Sequence, residues 1–348
     1  MLLPPLAGHE GVRSRLAAAV ASGRLPQAIL LAGPPGVGKQ RLALWLAQRI
    51  HCEVGGEEPC GECRSCRLVL SLQHPDVHWF VPVELNKKGA DADKQVDLVA
   101  EALAEEMAAR RERPLYAPPS GLAIHSIAAV RLLLRRLALT PAMGRRKVFI
   151  IGDAERLIPQ RGAEDAANAL LKALEEPPAD SVILITAAEV NALLPTILSR
   201  VVLVRVARIA DSAVTAFAQQ ALRITSKDEL AQRVTAAAGC IGKLFALEAP
   251  RAGQSDQAGR FLEAVQKGPA ARSAFALAQM PFQARGGFTD MLDSLAGRLV
   301  AEAKRGGDTE KLVAAIALVM DTRELAQGNV NPQLLAAVLA EDLSGRRA

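Results

Sequence analysis

The chain has 348 residues, half of them apolar and only 3% aromatic, with a net charge of +5. That length predicts two or three domains, and a composition led by Ala and Leu suits packed helices rather than an all-β sandwich, whose strands favour aromatic and β-branched residues. No apolar run approaches the roughly 20 residues of a membrane span, and the start, MLLPPLAGHE, lacks the basic region and apolar length of a signal peptide, so a cytoplasmic protein with no membrane contact is expected.

The charge excess permits nucleic-acid contact without arguing for it. The pairs Arg110–Arg111, Arg135–Arg136 and Arg145–Arg146 do not merge into one tract and read as solvated faces or turns. From Leu16 to Ile50 the pattern is helix, turn, strand, glycine loop, helix: the apolar run Ala28–Ala32 ends at the glycines and RLALWLAQRI continues with helical spacing. A helix fits IAAVRLLLRRLAL, stopped at Pro141; a turn, AMGRR, leads into the strand KVFIIGD. GAEDAANALLKALEE reads as a helix ended by Pro177 and Pro178, and SVILITAA as another strand. Strands alternating with helices predict a parallel sheet covered on both faces, with ligands at the carboxyl ends of the strands, where the glycine loop falls. After about residue 206 the strand signal disappears and only amphipathic helices follow, which read as scaffold and oligomer contact. Residues 84–121 are charged and then Pro-rich; they read as a surface insertion with one solvated helix near Val96–Arg111, with contact to DNA or a partner as the alternative.

Cys52, Cys60, Cys63 and Cys66 follow C-x7-C-x2-C-x2-C. Four thiolates this close, in a chain without a secretion signal, predict a closed tetrahedral structural zinc site, with Arg64 and Arg67 offsetting its negative charge. CGEC alone would also suit a redox pair, but no thioredoxin-like context surrounds it. Cys240 stands apart and reads as a buried small apolar residue.

The stretch LAGPPGVGKQR carries a phosphate loop in which Gly33, Gly36, Gly38 and Lys39 fit the pattern G-x-x-x-x-G-K-[ST] and Gln40 does not. The glycines permit the backbone path that aims N–H groups at phosphates, and Lys39 supplies a point charge. The Ser or Thr hydroxyl that ligates Mg²⁺ is missing, and an amide oxygen on a longer arm does not suit the strict octahedral geometry of that ion. The second metal anchor, an Asp ending a later apolar strand, is replaced by Gly152 after VFII, with Asp153 in the next place. Sliding the frame to make Asp153 the anchor turns its side chain to the other face of the strand. Both anchors therefore fail together, which argues against bound Mg²⁺ and leaves ATP binding in question.

In GPPGVGK, CGECRSC followed by HPD, RKVFIIGDAERL, AANALLKALEEPP and LLPTILSR, the chain resembles the delta-prime subunits of the bacterial DNA polymerase III clamp loader, members of the AAA+ group; these stretches span most of residues 25–205. The resemblance implies an AAA+ P-loop domain over 1–205, bearing a zinc module at about 52–66, then a helical lid over 206–249 and an all-α collar over 250–348. It implies a place in a five-membered ring with gamma/tau-type and delta-type subunits that opens the sliding clamp and loads it onto primed DNA. Ser199-Arg200-Val201 stands where the family has Ser-Arg-Cys, so Arg200 takes the role of an arginine finger reaching a neighbour's ATP. Thr186 stands where a γ-phosphate sensor would, and Lys243 where a second sensor arginine often occurs. The expectation is a subunit with little or no ATPase of its own. The alternatives are an active gamma/tau-type ATPase, which needs the missing hydroxyl and Asp-Glu pair, and a zinc-bearing nucleic-acid adaptor, which would bind DNA alone with a steep salt dependence.

Overall fold

Alternating apolar strands and helices make a five-stranded sheet whose neighbours are all parallel, in the order β2-β3-β4-β1-β5. The computed structural model describes every residue except 1, 2, 5, 85–90, 113–122, 159–163, 247–255, 282–286, 305, 307, 327–329 and 348. Two units divide the chain in the main, one running to Pro250 and the other from Arg251. The first contains α1 (Glu10–Ala21), β1 (Ala28–Ala32), α2 (Lys39–His51), α3 (Arg64–Leu70), β2 (Val77–Phe80), α4 (Ala92–Glu112), α5 (Ile127–Leu137), β3 (Lys147–Ile151), α6 (Asp165–Glu175), β4 (Ser181–Ala187), α7 (Pro195–Leu198), β5 (Val202–Arg205), α8 (Asp211–Leu222), α9 (Lys227–Ala237) and α10 (Gly242–Ala246).

β1, β3 and β4 are buried along their whole length, which explains the apolar runs AILLA, VFII and VILI within them. The helix α2 crosses β1, β4 and β3, placing the loop that precedes it at the carboxyl ends of the central strands. A parallel sheet in this order, with the glycine loop after β1, agrees with the parallel P-loop sheet expected from the sequence. α8, α9 and α10 enclose a small core of their own, built on Val214, Phe217, Leu230, Val234 and Leu244. In the second unit, α11 (Gln257–Lys267), α12 (Pro269–Leu277), α13 (Thr289–Lys304), α14 (Thr309–Ala326) and α15 (Pro332–Arg347) pack around Phe261, Leu292, Leu295 and Leu339. None of the helices described is long and apolar enough to cross a membrane.

Two expectations need correction. The insertion helix is not solvated all round: α4 places Val96, Val99 and Leu103 in the main core, a stripe at i, i+3 and i+7 that its many charges mask in the sequence. Arg110, read with Arg111 as part of a solvated face, is 2% exposed. The remainder of the insertion, 85–90 and 113–121, lies outside the described residues. Cys240 is fully buried in the main core, as a small apolar residue would be.

Candidate functional site

The loop between β1 and α2 follows the path its glycines allow. Gly36 and Gly38 both have positive φ, 75° and 106°, a conformation that a side chain disfavours. Gly33 leaves no room for a Cβ, which would run into the Val206 carbonyl. Lys39 is 6% exposed, and its Nζ donates to the loop's own carbonyls, Gly33 at 2.8 Å and Pro34 at 3.0 Å. Burial pulls its pKa down, while Glu155, Asp153 and Cys240 pull it up. Two further groups hold the loop from outside. His9 Nε2 donates to the Val37 carbonyl at 2.9 Å, and the Gly242 amide at the start of α10 donates to the Gly36 carbonyl at 2.8 Å.

Across the site, β3 ends at Gly152, whose carbonyl accepts from His125 Nε2 at 2.6 Å. A Cβ on Gly152 would lie 2.8 Å from Cδ and Oε1 of Gln40 and 2.9 Å from its Nε2. The two positions that depart from the metal-binding pattern are therefore in contact, and the Gln40 amide takes the space of a side chain at 152. The donors present do not fit Mg²⁺: one position offers an amide oxygen already accepting from Arg110 Nη1 at 3.3 Å, and the other offers no side chain. Asp153, in the left-handed region at φ 51°, donates its N–H to Thr186 Oγ1 at 3.1 Å. Thr186 is fully buried. Glu155 accepts from the Ala188 N–H at 3.2 and 3.4 Å, and its carboxyl is pushed up to about 7 by burial and then by Asp153.

Arg200 follows α7, away from this loop in the chain, with a side chain 31% exposed. Its guanidinium donates to Glu175 Oε1 at 2.6 Å, to the Thr196 carbonyl at 2.8 Å and to Ser199 Oγ at 3.2 Å. Lys243 lies exposed in α10. Sequence reasoning flagged Gln40 and Gly152 separately and missed their contact; it also missed Arg110, His9 and Glu175. Only the Glu106–Arg110 spacing of four hinted that Arg110 is held in place.

The four cysteines converge. Their Sγ atoms all lie within 4.8 Å of one another, with Cys60 and Cys66 at 4.0 Å; a tetrahedral zinc–thiolate centre separates its sulfurs by about 3.8 Å. Backbone N–H groups already point at the sulfurs, Cys63 to Cys60 at 3.3 Å, Cys66 to Cys63 at 3.4 Å and Cys60 to Cys52 at 3.4 Å. Such bonds favour thiolates: those from Cys63 and Glu62 bring Cys60 down to about 7, while burial pushes Cys66 up. The module is tied down by Trp45 Nε1, which donates to Glu58 at 2.8 Å, and by Glu53, which accepts from the Ser65 hydroxyl at 2.8 Å and amide at 3.1 Å. The donor set and its spacing fit a tetrahedral metal ion.

Comparison with known proteins gives the same direction. Residues 8–210 match the family model described as DNA polymerase III, delta subunit. DNA polymerase III subunit delta' of Bacillus subtilis (strain 168) is 33% identical over 177 residues, 51% of this chain and 41% of that protein. The delta' subunit of Pseudomonas aeruginosa is 33% identical over 176 residues, 50% of this chain and 41% of that one. The tau subunit of Escherichia coli (strain K12) is 31% identical over 194 residues, 56% of this chain and 23% of its own length. The chain thus spans less than half the length of these curated relatives. A solved gamma-subunit-related protein of Thermotoga maritima aligns over 97% of this chain and 99% of its own, at 16% identity and a TM-score of 0.44. The family model covers more than half of the chain, and the delta' relatives share a third of the aligned residues: the chain belongs to the DNA polymerase III delta-subunit family, in its delta-prime branch.

Proposed function

We propose that the chain is a clamp-loader subunit that runs no ATP hydrolysis of its own and acts on a neighbour's nucleotide through Arg200. The observation that carries this reading is the Gln40 amide lying against Gly152, where a metal-dependent ATPase places its two magnesium anchors. A site without those anchors keeps the strand–loop–helix joint but lacks the ion that neutralises the charge of phosphoryl transfer. Arg200, with Ser199 beside it, is the group with charge to offer: it lies at the surface, and the partners that hold it among the described residues are a partly exposed pair with Glu175 and two local acceptors. Its neighbours would be gamma/tau-type and delta-type subunits in a five-membered ring, the helices from 250 on forming the collar, and the work would be to place a sliding clamp on primed DNA. The cysteine module would hold a structural zinc.

The experiment is Arg200→Ala, assembled with gamma/tau-type and delta-type subunits. Assembly is expected to survive, while DNA-stimulated ATP hydrolysis by the complex falls by about 10²-fold or more, as for arginine fingers generally. Unchanged hydrolysis in a fully assembled complex removes the role in trans.

A further inference from the structure

A phosphate-loop site holds its divalent ion between two ligands, the hydroxyl after the loop lysine and the carboxylate at the end of the later strand. Here these positions are Gln40 and Gly152, and they form one arrangement. The amide group of Gln40 fills the place of a side chain at 152, and both residues are fixed: Gln40 is 6% exposed, and the Gly152 carbonyl is held by a fully enclosed His125.

The oxygen of that amide points to a cation. Arg110 Nη1 donates to Gln40 Oε1 at 3.3 Å. The guanidinium is 2% exposed, its Nε donates to Glu106 Oε1 at 2.7 Å, and its carbon stands 4.5 Å from the centre of the Trp79 ring on β2. Those contacts hold a planar cation in one orientation. The charge is carried there by α4, whose Val96, Val99 and Leu103 anchor it to the core. The insertion therefore does more than decorate the surface: it delivers a guanidinium, ion-paired with Glu106, one hydrogen bond from the residue that would otherwise ligate the metal.

We infer that Arg110 is the resident cation of the metal half of this site, and that Gln40, Gly152 and Arg110 together shut a divalent ion out of it. A doubly charged ion beside a buried guanidinium meets repulsion that the partly exposed Glu106 carboxylate offsets only in part, and the amide oxygen it would use already accepts from Arg110. This deepens the reading that the loop runs no metal-dependent chemistry, and it concerns the isolated chain, so its failure leaves the role of Arg200 untouched. It also predicts that restoring the two lost ligands is not enough to restore metal binding.

The test uses the full chain and the probe ADP, with EDTA or with excess Mn²⁺. In the unmodified protein and in Gln40→Ser/Gly152→Asp, Mn²⁺ is expected to leave ADP affinity unchanged. In the triple variant that adds Arg110→Ala, Mn²⁺ is expected to tighten ADP binding by about tenfold or more, the scale on which metal-site residues act. The inference is overturned if the double variant gains as much from Mn²⁺ as the triple, since ion and guanidinium then coexist. It is equally overturned if a folded triple variant gains nothing. Should the triple variant not fold, thermal unfolding decides through a cycle. Gly152→Ala is expected to lower the midpoint by roughly 2–4 °C, because the amide must swing away and remove the Arg110 acceptor, and to have little effect in a Gln40→Ser background. Equal drops in both backgrounds would show that the residues are not interlocked.

Discussion

The four-cysteine module and the metal half of the phosphate loop are both metal positions by pattern, and the chain treats them in opposite ways. In the module all four donors are present, their sulfurs converge within 4.8 Å, and backbone N–H groups are aimed at them. In the loop both anchors are replaced, the space is taken by the Gln40 amide, and an arginine stands beside it. A lost ligand and an empty site are separate things. A buried polar position without its ion leaves charges and donors to be satisfied, and here protein atoms satisfy them.

The largest effect that separates the two regions is expected from Cys63→Ser. Cys63 also caps α3, its sulfur accepting from the Cys66 N–H, so its loss removes a ligand and a cap together. Stoichiometric zinc should vanish from metal analysis, and stability should fall by about 3 kcal/mol or more, because the binding free energy of a structural zinc is folding free energy. A strong chelator should act in the same direction on the unmodified chain. If the purified protein carries no zinc and Cys63→Ser unfolds at the same denaturant concentration, the contrast between the two sites disappears.

Much of this was legible in the residues. Spacing alone marked the cysteine module, because all four ligands sit within one short stretch and their convergence is local. The buried strands β1, β3 and β4 were visible through the apolar runs they contain, whereas β2 and β5 were not: VHWF is too short, and VLVR is an edge strand whose Val202 and Leu203 stay 48% and 43% exposed. Gln40 and Gly152 each stood out against the loop pattern. Their contact was hidden because it joins residues more than a hundred positions apart, and Arg110 was hidden because its partners lie on α2, β2 and its own helix. A dibasic pair looks the same in a sequence whether it is solvated or enclosed.

A middle-sized effect is expected at Glu155, the carboxylate left in the loop site. Burial and Asp153 raise its pKa from the ordinary carboxylate value to about 7. The folded chain thus binds this proton more tightly than the unfolded chain does. The stabilising contribution is present in full below the unfolded value near 4.5 and is lost as pH rises through about 7. Glu155→Gln removes that dependence. It should change stability little near pH 4 and raise it relative to the parent by on the order of 2–3 kcal/mol at pH 8, measured by urea unfolding at both pH values. A bound divalent ion would instead hold the carboxylate ionised. The same difference between the two proteins at both pH values would therefore mean that the site is not the ion-free enclosure that the contrast with the module requires.

The smallest effect is expected at Glu175, where the contrast is between charges that are enclosed and one that is not. Arg110 is itself 2% exposed, against Gln40 and the Trp79 ring, whereas Arg200 pairs with Glu175 at 2.6 Å through side chains that are 31% and 49% exposed. A pair so open to water contributes little, so Glu175→Gln should alter stability by no more than about 0.5 kcal/mol. Its value lies in the assembled complex. If Arg200 leaves Glu175 to reach a neighbour's phosphates, Glu175→Gln should leave ATP hydrolysis unchanged or raise it slightly, since the competing partner is weakened. A fall toward the level of Arg200→Ala would mean that the carboxylate positions the arginine. The two surface residues would then be a fixed pair, as Arg110 and Gln40 are in the interior.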